Sequence, residues 1–94
     1  MNPTYNYPYA ELRHKNKIEE RIKEVNSKGI DINQSKLADL CKCSRQLVSM
    51  WALNQGQPTK KYKKILFNHF QSLLPEMYFQ DLFYTEVIVI DPKL

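Results

Sequence analysis

Glycine is nearly missing from this chain: there are two in 94 residues, Gly29 and Gly56. That excludes the glycine-rich loops that cradle phosphates in nucleotide-dependent enzymes. Cysteine is as scarce, with only Cys41 and Cys43. Two thiols this close make neither a disulfide framework nor a zinc-finger spacing, and they read as buried thiols of a reducing compartment. His14 and His69 stand alone, so no His/Cys/Asp cluster offers metal ligands or catalytic groups. The composition therefore predicts no enzyme, no metal and no cofactor. Long apolar runs are absent too. The longest, Val87-Ile88-Val89-Ile90, is far too short to span a bilayer. The polar stretch Met1 to Ala10 lacks the charged-then-apolar order of a secretory signal. A soluble protein of the cytoplasm is expected. A chain this short forms only one modest core, so association with a second copy is the expected source of extra stability.

Acidic residues are missing from the middle. Residues 32–74 carry seven basic side chains (Lys36, Lys42, Arg45, Lys60, Lys61, Lys63, Lys64) against the single acid Asp39. Residues 1–31 are nearly balanced, and residues 75–94 hold four acids against Lys93. A cationic middle suits a polyanion, and duplex DNA is the commonest one. Charge alone fits a merely solubilising surface equally well.

The chain punctuates itself into short elements. Pro3 and Pro8 predict an extended arm over 1–9. A first helix is expected from about Ala10 to Ser27, with Ile18, Ile22 and Val25 on one stripe and Gly29 as its stop. Asn33 suits the cap of a helix over Gln34 to Cys41, with Leu37, Ala38, Leu40 and Cys41 inward. Ser44 caps a third, Arg45 to Leu53, with Val48 and Trp51 inward. Thr59 caps a fourth along Tyr62, Ile65, Leu66, Phe70 and Leu73. Pro75 opens a short fifth, to about Phe83. Thr85 to Ile90 is β-branched and closed by Asp91-Pro92, which reads as a strand. The expected fold is thus mainly α: a five-helix domain over 10–84, followed by a C-terminal β-strand segment, 85–94.

The second and third helices, joined by a three-residue break, have the helix-turn-helix arrangement. Residues 33–59, "NQSKLADLCKCSRQLVSMWALNQGQPT", resemble the Cro/phage-repressor type of helix-turn-helix, the xenobiotic-response-element family. The likeness rests on Asn33, Gln34, Leu37 and Ala38, on Cys43 and Ser44 opening the recognition helix, on Arg45, Gln46, Val48, Ser49 and Trp51, and on Pro58-Thr59. It implies a lambda-repressor-like domain and sequence-specific binding of double-stranded DNA. Lys42 stands where the family usually has glycine, so the turn either strains or shifts. Met50 replaces a common basic residue and offers an apolar contact.

Carried over by position, the resemblance implies that Gln34 anchors a phosphate at a helix N-terminus. Ser44, Arg45, Gln46, Ser49 and Met50 face the major groove. Arg45 can pair bidentately with guanine, and Gln46 with adenine. Asn54 and Lys60, with Lys36 and Lys61, touch flanking phosphates. The implied function is a Cro-like transcriptional repressor of phage, plasmid or mobile-element origin, working at the bacterial nucleoid. Two other readings use the same residues: a protein-interaction module such as an antitoxin or anti-repressor, whose toxin or other protein partner is unknown, and an excisionase-like architectural protein. One helix-turn-helix reads few base pairs, so a homodimer on a palindromic operator is expected. Its expected seam is Val87, Ile88, Val89 and Ile90, a strand without a partner in its own chain, pairing antiparallel with its copy; the alternatives are a dimer surface on the fifth helix, or a strand folded back on its own domain. The aromatics Tyr78, Phe79, Phe83 and Tyr84 are expected to fill the core, and in the protein-interaction reading they form the partner-binding surface instead.

Overall fold

A computed structural model describes residues 9–90, with Ile90 described by its backbone alone. Most of the expected N-terminal arm, and residues 91–94 of the C-terminal segment, lie outside the described residues. The described chain runs β1 (Tyr9–Asn16), α1 (Ile18–Ser27), α2 (Gln34–Cys41), α3 (Arg45–Ala52), α4 (Lys60–Leu73), a single 3-10 turn at Phe79–Asp81, and β2 (Phe83–Ile90).

Each helix contributes one stripe to a common core. Ile18, Ile22 and Val25 come from α1, Leu37, Ala38 and Cys41 from α2, Val48 and Trp51 from α3, and Leu66 and Phe70 from α4. These are helical spacings, so each helix turns one side inward. Leu74, Met77, Leu82 and Phe83 close the core after α4. Trp51 packs on Tyr62 with ring centroids 5.3 Å apart, which fixes α3 against α4.

Three expectations are corrected. The first helix does not begin at Ala10, because residues 9–16 form β1, and only Ile18–Ser27 is helical. The fifth helix is not formed. After α4 the chain turns at Leu74–Met77, and one 3-10 turn follows, held by the Asp81 carboxylate, which accepts from the Tyr78 backbone N–H at 2.7 Å. Finally, β2 is not alone. It pairs antiparallel with β1 over eight rungs, from Tyr9↔Ile90 to Asn16↔Phe83. Among the described residues the architecture is four helices with one two-stranded antiparallel sheet, not five helices with a lone strand.

The first and third corrections share one physical reason. Chain segments at opposite ends of the sequence find each other and outcompete the local helical preference of residues 10–16. The base of the ribbon is anchored in the body: the Lys17 N–H donates to Leu82 O at 2.8 Å, and Asn16 and Phe83 are buried. Eight rungs extend about 26 Å. The molecule is 57 Å long against 27 and 21 Å across, so the ribbon projects from the helical body. No helix of the described residues is long and apolar enough to cross a membrane.

Candidate nucleic-acid interface

The two-helix unit α2–α3 is built by its caps. Asn33 Oδ1 accepts from the Lys36 N–H at 2.9 Å and opens α2; Ser44 Oγ accepts from the Leu47 N–H at 3.2 Å and opens α3. Between them Lys42 takes the left-handed conformation, φ 55° and ψ 44°. The N–H groups of Lys42 and Cys43 donate back to Asp39 O and Ala38 O at 3.2 and 3.0 Å. These bonds satisfy carbonyls that α2 would otherwise leave unpaired. The turn keeps its glycine-type geometry with a lysine in it. Leu37, Ala38, Val48 and Trp51 are buried, and Leu40, expected inward, is exposed.

With Val48 and Trp51 inward, α3 presents its opposite side to solvent. Arg45, Gln46 and Met50 are exposed, Ser49 is half-buried, and Ser44 is exposed at the cap. Among the described residues neither Arg45 nor Gln46 has a side-chain hydrogen bond or ion pair within the chain. Met50 leans over Gly56, where an added Cβ would lie 3.3 Å from Met50 Cε. That side chain is shared between the exposed face and the following loop.

The flanking residues differ in how free they are. Lys60 and Lys61 are exposed at the start of α4, with no carboxylate within ion-pair distance among the described residues. Lys61 Nζ lies 5.8 Å from the centroid of the Tyr62 ring. Lys36 Nζ is bound to Asp31 Oδ2 at 2.9 Å, an exposed pair of little energetic weight. Gln34 Nε2 donates to Glu19 Oε2 at 3.3 Å, so its side chain is turned toward α1.

Asn54 is fully engaged. It follows α3 with φ 57°, a left-handed conformation that asparagine tolerates. Its Oδ1 accepts from the Asn16 N–H at 2.8 Å and from Gln57 Nε2 at 2.9 Å, and its Nδ2 donates to Asn16 O at 3.2 Å. Asn16 Nδ2 donates to Trp51 O at 2.7 Å and to Gln57 Oε1 at 2.8 Å. Asn16, Asn54 and Gln57 thus bolt the ribbon to the end of α3. Sequence reasoning missed Asn16 and Gln57 altogether, since their partners are far away in the chain. A clue is Asn16 itself, a polar residue just before the apolar stripe of α1.

A second feature lies beside the lysines. Lys60, Lys63, Lys64, Phe67 and Phe79 line an open groove of about 410 Å³. Phe79 packs on Phe67 and Phe83 with centroids 5.3 and 5.4 Å apart, yet Phe79 and Tyr78 remain exposed. Of the four aromatics expected in the core, Phe83 is buried, Tyr84 is half-buried, and these two are not. The expected seam also divides. Val87 and Val89 share one face of the ribbon, while Ile88 stands on the other, because side chains alternate along a strand. Ile90 contributes its backbone pairing with Tyr9.

The chain matches no family model, no curated protein and no solved structure.

Proposed function

We propose that this chain binds double-stranded DNA by placing α3 in the major groove, and acts as a sequence-specific transcriptional regulator of the Cro-like repressor kind. One observation carries the reading: Arg45 and Gln46 stand exposed on the outer face of a capped, firmly packed helix, with no partner of their own among the described residues. An α-helix fits a groove about 12 Å wide, and these two side chains can read guanine and adenine edges. Lys60 and Lys61, together with the N-terminal backbone N–H groups of α2, are the phosphate contacts; Lys36 and the Gln34 side chain would have to leave Asp31 and Glu19 first. Asn54 is reassigned from phosphate contact to structural anchor. Two copies on half-sites about 34 Å apart complete the reading.

A second reading is favoured by the Phe67–Phe79 groove. A protein-interaction module would use that exposed aromatic surface rather than α3.

The test is binding to a random duplex pool, followed by the selected site. Affinity should fall steeply with salt, and Lys60→Ala or Lys61→Ala should flatten the log–log slope by about 0.9 for each phosphate no longer neutralised. Arg45→Ala and Gln46→Ala should each cost about 1–3 kcal/mol on the selected site and relax preference at one or two base positions, with melting unchanged. A protein that ignores duplex DNA at low salt would overturn the reading and leave the groove as the working surface.

A further inference from the structure

The first two turns of α4 carry a cationic stripe that nothing in the chain neutralises. Lys60, Lys63, Lys64 and Phe67 follow helical spacing, so one side of α4 presents all four. Lys60 is one turn away from both Lys63 and Lys64, a spacing at which like charges repel and weaken a helix. Among the described residues no carboxylate lies within ion-pair distance of these three lysines. Together with Phe67 they meet Phe79, from the 3-10 turn, around the open groove of about 410 Å³, which no acidic side chain lines.

The two ends of the groove differ in chemistry. At one end Phe79 is 46% exposed, and its ring meets Phe67 edge-on, with planes at 63°. At the other end Lys60 and Lys64 are exposed. Lys60 stands about 10 Å from Phe67 along the helix axis. Lys63 lies between them, half-buried, with its Nζ 5.6 Å from the centroid of the Phe83 ring.

We propose that this groove is a binding site for a small aromatic anion, its ring on Phe67 and Phe79 and its acidic group among Lys60, Lys63 and Lys64. Charge complementarity sets the sign of the ligand. A neutral ring would leave the ammonium groups repelling one another, and an inorganic anion would leave the aromatic end wet. A flat ring bearing one acidic group answers both. Size sets its class. The volume falls within the range of small-molecule sites, roughly 300–1,000 Å³. A protein partner covers about 800 Å² of surface, far more than one such groove. The site stands apart from the DNA reading, because Lys60 belongs to both but Phe67 and Phe79 belong only here. Binding is therefore measured without DNA.

The experiment titrates the full chain with 2-naphthoate, followed by backbone amide chemical shifts. Three further probes are 2-naphthamide (the ring without charge), inorganic phosphate (charge without the ring) and the peptide acetyl-Asp-Glu-Asp-Phe-amide. Naphthoate should bind with a dissociation constant on the order of 0.1–1 mM and shift the signals of Lys60 to Phe67 and of Phe79. Naphthamide and phosphate should each bind about tenfold more weakly. The exposed pair Lys60→Gln with Lys64→Gln should weaken naphthoate about three- to tenfold. Phe79→Leu, which stays apolar but removes the ring, should weaken it about threefold. A control with Lys23→Gln and Lys28→Gln removes the same charge from α1 and the residue after it, and should bind like the unmodified chain. The proposal is overturned if naphthoate leaves those signals unmoved at about 10 mM, if naphthamide binds equally well, or if the control loses binding as much as the Lys60–Lys64 pair. A peptide that binds about tenfold more tightly than naphthoate would also overturn it, and would assign the groove to a protein partner.

Discussion

Asn54 holds both backbone groups of Asn16: its Oδ1 accepts from the Asn16 N–H at 2.8 Å, and its Nδ2 donates to the Asn16 carbonyl at 3.2 Å. One side chain at the end of α3 thereby completes the hydrogen bonding of the last residue of β1.

Substitution at Asn54 should separate two contributions. Asn54→Gly keeps the left-handed conformation at little strain but loses the side-chain bonds, and should cost about 1–2 kcal/mol. Asn54→Ala loses the bonds and adds the left-handed penalty, and should cost about 2–4 kcal/mol. Urea unfolding of both variants measures the difference. Equal losses would mean that the conformation at residue 54 carries no strain for alanine.

Lys42 offers the opposite experiment. Its φ of 55° places an exposed lysine where glycine is unstrained. Lys42→Gly should stabilise the chain by about 1 kcal/mol, the relief of left-handed strain outweighing the added freedom of the unfolded chain. For a domain of this size that is a rise of about 4–8 °C in melting temperature. A fall in melting temperature would show that the lysine side chain contributes more than its backbone costs.

Cys41 should make stability sensitive to alkali. Burial pushes its thiol up from the ordinary value near 9 to about 11, helped by the charge of Cys43 and by a hydrogen bond in which the Cys41 thiol donates to Cys43. Burial also raises Cys43. Below about pH 9 both folded and unfolded chains hold the Cys41 proton, and the thiol adds no pH dependence. Above it the unfolded chain ionises first, so stability falls as pH rises toward about 11. Urea midpoints followed from pH 8 upward should decline more gently in Cys41→Ala than in the unmodified chain. Parallel declines would refute the assignment.

Much of the helical body is legible in the sequence because its signals are local. Asn33 and Ser44 are capping residues at their expected places, and the stripes Leu37–Ala38–Cys41 and Val48–Trp51 lie within single helices. The ribbon is half legible. Val87 to Ile90 announces a strand by composition, but Ala10 to Lys15 is made of helix-tolerant residues, half of them charged. Its strand character comes from a partner at the far end of the chain. Pro75 points to a helix that Leu74, Met77, Leu82 and Phe83 do not form, because their burial follows no helical period. Arg45 and Gln46 stand out because an exposed polar face beside a buried one is readable from periodicity. The engagement of Asn54, Gln34 and Lys36 with other side chains is not, since it depends on tertiary neighbours.

The rung Asn16↔Phe83 sits inside the core, and every other rung lies farther out. Joining residues so distant in sequence has a large loop-closure cost, which the collapse of the intervening helices removes. The ribbon's stability is thereby tied to that of the body, whose packing holds Asn16 and Phe83 together at the base from which β1 and β2 pair outward toward Tyr9 and Ile90. A misfolded or partly unfolded body has no ribbon to display. The exposed apolar surface at Leu12, Val87 and Val89 therefore exists only on chains whose α3 is in place.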